Sequence, residues 1–149
     1  MDKLFISNTE DDTAELARKI AALSKRGDVW ALSGTLGAGK SVFARAFIQS
    51  LTNAKEVPSP TFTLVQMYDA DAFDIFHYDL YRLENPAEIF ELGVEEAFYS
   101  GVCLVEWPEK MGAFAPRDMW HVHIDVEEGV RKITISATTE EKISRLQNV

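Results

Sequence analysis

Residues Asp28-Val-Trp-Ala-Leu-Ser33 form a short apolar run, and Gly34-Thr-Leu-Gly-Ala-Gly-Lys-Ser41 follows it as a complete G-x-x-x-x-G-K-[ST] pattern. Downstream, Val42-Phe-Ala-Arg-Ala-Phe-Ile-Gln-Ser-Leu51 carries Phe43, Phe47 and Leu51 at i, i+4 and i+8, the spacing of one helix face. Strand, glycine-rich loop and helix in this order are what a phosphate-binding loop requires. They predict an α/β fold of the P-loop NTPase type.

The spelling has a physical reason. A polyphosphate needs several converging donors, and glycines at 34, 37 and 39 let backbone N–H groups turn inward where a Cβ would clash. The start of the following helix adds positive dipole character. Lys40 can reach between β- and γ-phosphates, and the Ser41 hydroxyl can ligate a magnesium ion that bridges them. Candidate nucleotide contacts are therefore Leu36, Gly37, Ala38, Gly39, Lys40 and Ser41, with Mg2+ as the accompanying metal.

At 149 residues the chain has the length of one domain, expected to run from residue 1 to residue 149 without linker, repeat or low-complexity tract. Its apolar stretches are too short to span a bilayer, and Met1-Asp-Lys-Leu-Phe-Ile-Ser7 has no apolar signal core. A cytoplasmic protein is expected. The single cysteine, Cys103, lies inside the apolar run Val102-Cys-Leu-Val105, so a structural thiol is expected, and no internal disulfide or thiolate zinc site is possible. Lys and Arg total 15 against 24 Asp and Glu, a net charge of −9 that repels a phosphate backbone. Any nucleic acid the chain serves is expected to be gripped mainly by other proteins.

Leu4-Phe-Ile-Ser7 predicts a short edge strand, and Thr9-Glu-Asp-Asp12 a capping box for a helix running to about Lys25, with Leu16, Ile20 and Leu23 buried and Gly27 closing it. Val57-Pro-Ser-Pro60 forces an extended segment. Thr61 to Tyr68 is rich in β-formers, and with the turn Asp69-Ala-Asp-Ala72 and the run from Phe73 to Leu80 it predicts a hairpin, hence a mixed sheet. Asn85-Pro-Ala-Glu-Ile-Phe-Glu-Leu92 reads as a capped helix closed by Gly93, and Val94 to Tyr99 as another. Val102 to Glu106 reads as a buried strand. Met119 to Val126 and Arg131 to Ala137 alternate around Glu127-Glu-Gly129, a second hairpin before a polar C-terminal helix. The expected architecture is three layers, with helices flanking a mixed central sheet that carries two β-hairpins.

A bound nucleoside triphosphate also needs a carboxylate to fix its metal and a group to position the attacking water. In such sheets ligands sit off the carboxyl ends of strands. Asp79 and Glu106 both end apolar strands there, so both are candidate metal ligands and catalytic groups beside Lys40; spacing leaves open which holds the metal and which orients water. Thr61 can reach a γ-phosphate or its magnesium, or be an ordinary strand residue. His77 and Arg82 flank Asp79 and are candidates to orient the acid or to offset phosphate charge. Trp107 is read either as a stacking surface for a base or partner or as a core residue, whereas Trp30, inside the strand, is read as packing. His121 and His123 share one strand face, but no third ligand accompanies them, and no metal site is expected there.

The stretches Gly34 to Ser41, Ser59-Pro-Thr-Phe-Thr-Leu-Val65, His77-Tyr-Asp-Leu-Tyr-Arg82, Glu91-Leu-Gly93 and Cys103-Leu-Val-Glu-Trp-Pro108 together resemble one family, the bacterial tRNA threonylcarbamoyladenosine biosynthesis ATPases of the TsaE (formerly YjeE) type. The phosphate loop is common to many families, but its combination with S-P-T-[FY]-T-L-V, H-x-D-L-Y-R and V-E-W-P is specific. The resemblance implies an ATPase that supports addition of a threonylcarbamoyl group to the adenosine beside the anticodon of ANN-decoding tRNAs, in a complex with TsaB and TsaD that ATP hydrolysis resets. It implies that Lys40 and Ser41 hold phosphate and Mg2+, that Thr61 belongs to a switch segment, that Asp79 and Glu106 form the metal- and water-positioning pair, and that Trp107 is the tryptophan of the family motif. It also implies that tRNA is met through the partners. Two positions depart from it: Thr35 stands where relatives often have Asp, and Ser41 where they often have Thr, which keeps the hydroxyl.

A small-molecule kinase is the main alternative, since it too needs a phosphate loop and acids; the seven scattered arginines form no lid-like cluster. A GTPase is disfavoured by the absence of an N-K-x-D motif, which leaves ATP as the expected nucleotide. A non-hydrolysing interaction module would leave Asp79 and Glu106 without a role.

Overall fold

The computed structural model describes residues 1–35 and 39–149. They form β1 (Asp2–Ser7), α1 (Glu10–Leu23), β2 (Val29–Gly34), α2 (Lys40–Leu51), β3 (Val65–Asp69), β4 (Asp74–Asp79), α3 (Val94–Ser100), β5 (Val102–Glu106), β6 (Trp120–Glu127), β7 (Val130–Ser136) and α4 (Glu140–Leu146). The strands make one sheet in the order β1-β7-β6-β2-β5-β4-β3. Its centre is parallel: β2 lies between β6 and β5, and β4 pairs with the far side of β5. Edge strand β1 and the hairpins β3–β4 and β6–β7 supply the antiparallel pairs, so the mixed sheet and both hairpins expected from the sequence are present.

Alternation along the central strands splits the core into two. Trp30 and Leu32, Val102 and Leu104, and Trp120, Val122 and Ile124 pack with α1, α2 and α4. Val29 and Ala31, with Cys103 and Val105, pack on the opposite face under α3 and two 3-10 segments, Pro86–Leu92 and Pro108–Phe114. Three layers result. The same parity governs function: Glu106 continues the series of Val102 and Leu104, and Asp79 that of Ile75, so both acids fall on the sheet face that carries α2. Cys103 is fully buried, and burial pushes its thiol well up from the ordinary value, as a structural cysteine requires. Among the described residues no helix is long and apolar enough to cross a membrane.

Several expected boundaries are corrected. Helix α1 ends at Leu23 with Ser24 as its cap, short of Lys25, and Gly27 (φ 93°) turns the connection after it. Its capping box is offset: the Thr9 hydroxyl accepts from the Asp12 N–H at 3.1 Å, but the Asp12 carboxylate reaches back to the N–H of Asn8 rather than Thr9. Strand β3 begins only at Val65; residues 61–64 form a turn in which the Leu64 N–H donates to the Pro60 carbonyl at 2.6 Å and Leu64 takes φ 68°. The run from Pro86 to Leu92 is a 3-10 helix, not an α-helix, although Asn85 caps it through the Ala87 N–H as expected. The 3-10 segment Pro108–Phe114 was not expected at all.

The C-terminal helix, which matches no recognised motif, has a structural task. Asp28 at the foot of β2 is 3% exposed and takes two hydrogen bonds from the Arg145 guanidinium, at 2.6 and 2.9 Å. Lys142 lies 3.9 Å from the same carboxylate and donates to Asp118 at 2.8 Å. Both cations lie over Trp120, which stacks on Trp30 at 4.4 Å. Removing one member of such a buried ion cluster strands the others. Asp28→Ala is therefore expected to cost roughly 3 kcal/mol, read as a lower midpoint in urea unfolding.

Candidate functional site

The carboxyl ends of β2, β4, β5 and β6 lie along one edge of the sheet, and the phosphate-loop segment, Asp79 and Glu106 all leave from that edge. Leu36, Gly37 and Ala38 lie outside the described residues. On either side of them the chain is positioned by glycine. At Gly34 (φ 136°) a Cβ would fall on the Ile124 carbonyl oxygen of the neighbouring strand, so only glycine lets the chain leave β2 there. Gly39 (φ 114°) caps α2 in the left-handed region, and Lys40 and Ser41 open the helix. Ser41 is exposed and Lys40 buried.

A cleft of about 270 Å³ opens at this edge. Gly39, Lys40 and Ser41 line one wall, Asp79, Glu106 and Trp107 another, and Thr61 and Ser59 the rim. Asp79 and Glu106 are register partners on adjacent parallel strands, each 6% exposed. Asp79 is fixed twice: its Oδ2 accepts from the Thr61 hydroxyl at 3.0 Å and its Oδ1 from the Tyr81 N–H at 3.0 Å. Thr61 spends its single hydrogen on Asp79, so the Ser59 hydroxyl, 2.7 Å away, is the donor in that contact. Thr61 is thus neither a strand residue nor isolated; it is the middle of a Ser59-Thr61-Asp79 chain. Glu106 Oε2 meets His77 Nε2 at 2.8 Å.

The Lys40 ammonium stands 4.7 Å over the Trp107 ring, and Tyr81 packs on the same indole at 4.9 Å. Trp107 is half-buried: it lines the cleft and also packs against the hydrophobic core on the α3 side of the sheet. It holds φ 58°, and Leu64, in the turn that accepts the Asp79 N–H, holds φ 68°. Of the three non-glycine residues with positive φ among the described residues, two therefore flank this cleft, the pattern of a functional site held by its surroundings.

Not every candidate converges here. Arg82 is exposed and stacks on Phe62 at 5.3 Å, away from the cleft lining, and His77 pairs with Glu106 rather than with Asp79. His121 and His123 are exposed on β6, where His123 bonds Ser33 and Asp125, and neither lines the cleft. Conversely, Glu10, Thr13 and Arg131 line the cleft and carried no sequence signal, because α1 and β7 reach it only through the tertiary fold. The lining thus pairs cations, Lys40 and Arg131, with acids, Glu10, Asp79 and Glu106. That donor set fits a polyphosphate carried with a divalent cation.

A family model described as "Threonylcarbamoyl adenosine biosynthesis protein TsaE" matches residues 7–133. The chain belongs to the TsaE family. The tRNA threonylcarbamoyladenosine biosynthesis protein TsaE of Rickettsia felis is 39% identical over 140 residues, 93% of this chain and 82% of that protein. The protein of the same name from Bacillus subtilis strain 168 is 35% identical over 147 residues, 93% of this chain and 92% of its own length. The crystal structure of Bacillus subtilis YdiB has the same fold, with TM-score 0.84 at 28% identity over 99% of this chain and 93% of that one. The TsaE match spans β2, β4 and β5, and so every element that builds the cleft wall.

Proposed function

We propose that this chain, acting as one domain, is an ATPase subunit of tRNA threonylcarbamoyladenosine biosynthesis that couples ATP binding and hydrolysis to cycling of a complex with TsaB and TsaD homologues. The observation that carries the reading is the convergence of Lys40, Ser41, Asp79 and Glu106 on one cleft in a chain of the TsaE family. Lys40 and the backbone from Leu36 to Gly39 hold the phosphates. The Ser41 hydroxyl with Asp79 and Glu106 would hold Mg2+, which would supply charge neutralisation to the phosphates. Asp79, with both oxygens already accepting hydrogen bonds, is a rigid acid suited to the metal shell. Glu106 keeps Oε1 uncommitted among the described residues and suits the positioning of an attacking water. Trp107 flanks the bound nucleotide beside Lys40, and Thr61 ties the segment after Pro58-Ser-Pro60 to Asp79, so that loop and acid move together.

The net charge of −9 assigns tRNA contact mainly to the partners. The isolated chain is therefore expected to show no salt-sensitive tRNA binding at micromolar concentration, measured by filter binding across a salt series. The reading as a whole is tested by phosphate release from ATP by the purified chain, alone and with TsaB and TsaD homologues. Release without any acceptor, stimulated by the partners, supports it. Phosphoryl transfer to a small molecule with no partner effect would instead establish the kinase alternative.

A further inference from the structure

His77 lies on β4 two residues before Asp79, and β4 pairs with β5 in the register His77↔Leu104 and Asp79↔Glu106. The imidazole is thus diagonal to Glu106 on the same sheet face, 3% exposed, with Nε2 at 2.8 Å from Oε2. An ionised carboxylate only accepts, so the hydrogen in this contact sits on Nε2.

The other ring nitrogen is the informative one. Nδ1 is buried and has no hydrogen-bond partner among the described residues. A buried polar atom left unsatisfied costs stability, whereas an apolar side chain of similar volume would carry no such cost. Packing therefore does not account for a histidine here. The one hydrogen bond the ring makes is to Glu106. That bond ties down Oε2 of a side chain with three rotatable torsions and leaves Oε1 as the oxygen with no partner among the described residues.

Resting on the reading of Glu106 as the water-positioning acid, we infer that His77 is its positioning residue: the imidazole fixes the Glu106 carboxylate and contributes to turnover through that acid rather than to nucleotide binding. Partners that orient a reacting or ligating group typically change activity by about 10- to 100-fold when removed.

The test compares the wild type with His77→Leu, His77→Asn and His77→Gln, each also in a Glu106→Ala background, using the full chain with TsaB and TsaD homologues. Glutamine can place an amide N–H near the position of Nε2; asparagine is too short. The leucine and asparagine variants are expected to lose about 10- to 100-fold in kcat, with fluorescent-ADP affinity within about twofold of wild type and melting temperatures that stay above the assay temperature. Glutamine is expected to recover most of the rate, and in the Glu106→Ala background no His77 change is expected to matter further. Equal losses in both backgrounds, or losses in glutamine as large as in asparagine, would overturn the proposal. Crystal structures of the asparagine and glutamine variants give a readout that needs no hydrolysis. A Glu106 carboxylate displaced in the former and held in the latter supports the inference even if the ATPase reading fails, and an unmoved carboxylate in both overturns it.

Discussion

Lys40→Ala is expected to weaken Mg·ADP and Mg·ATP binding by on the order of 100-fold or more. Two charge-assisted hydrogen bonds to phosphate are each worth roughly 1.5–3 kcal/mol, and 1.4 kcal/mol is a factor of ten. Lys40 is buried at the first turn of α2, with its ammonium 4.7 Å over Trp107 and no ion-pair partner within 4 Å among the described residues. Its loss thus removes positive charge from the cleft without breaking a salt bridge that supports the fold. The variant should keep the wild-type melting temperature in the absence of nucleotide and lose the stabilisation that added nucleotide confers. Thermal shift with and without Mg·ADP reads both quantities in one titration. Equal nucleotide-induced shifts in wild type and variant would remove Lys40 from the site.

Glu106→Ala should separate binding from turnover in the opposite sense. General-base or water-positioning groups contribute roughly 10²- to 10⁴-fold to rate, while phosphate affinity rests on the loop and Lys40. Hydrolysis is therefore expected to fall by at least about 100-fold, with nucleotide affinity unchanged or slightly raised, since a negative charge leaves the neighbourhood of the phosphates. Steady-state phosphate release beside fluorescent-nucleotide binding checks the split. A variant with unchanged kcat would transfer the role to Asp79, whose two oxygens are already engaged by Thr61 and the Tyr81 N–H.

What could be read from the residues was what local periodicity encodes. The β2-loop-α2 order, the hairpins and the two strand-end acids followed from runs of a few residues, and period-two parity then placed both acids on the α2 face. Three kinds of feature escaped. The stretch from Thr61 to Leu64 has strand-forming side chains, yet it turns, because the Leu64 N–H is satisfied by Pro60 and its carbonyl by the Asp79 N–H. Those two hydrogen bonds outweigh propensity. The run from Pro86 to Leu92 has the capping residue and proline of a helix start, yet it closes at Gly93 with φ 71° as a 3-10 helix, while the equally long α3 and α4 are α-helical. The third kind is long-range pairing: Asp28 with Arg145, 117 residues apart, His77 with Glu106, and the arrival of Arg131 beside Gly39 have no spacing signature. The candidate residues of the cleft were legible because the loop and strand ends announce themselves; the residues that contact and brace them became visible only in the fold.

The central claim is that one cleft, bounded by the start of α2 and the ends of β4 and β5, holds Mg·ATP. The most direct measurement is a crystal structure of the chain with Mg2+ and a non-hydrolysable ATP analogue. The prediction is a γ-phosphate within hydrogen-bond reach of Lys40, and a metal ion at about 2.0–2.1 Å from the Ser41 hydroxyl, with Asp79 or Glu106 bound to it directly or through one water. A nucleotide bound elsewhere, or a metal ion in contact with neither carboxylate directly or through water, would contradict it.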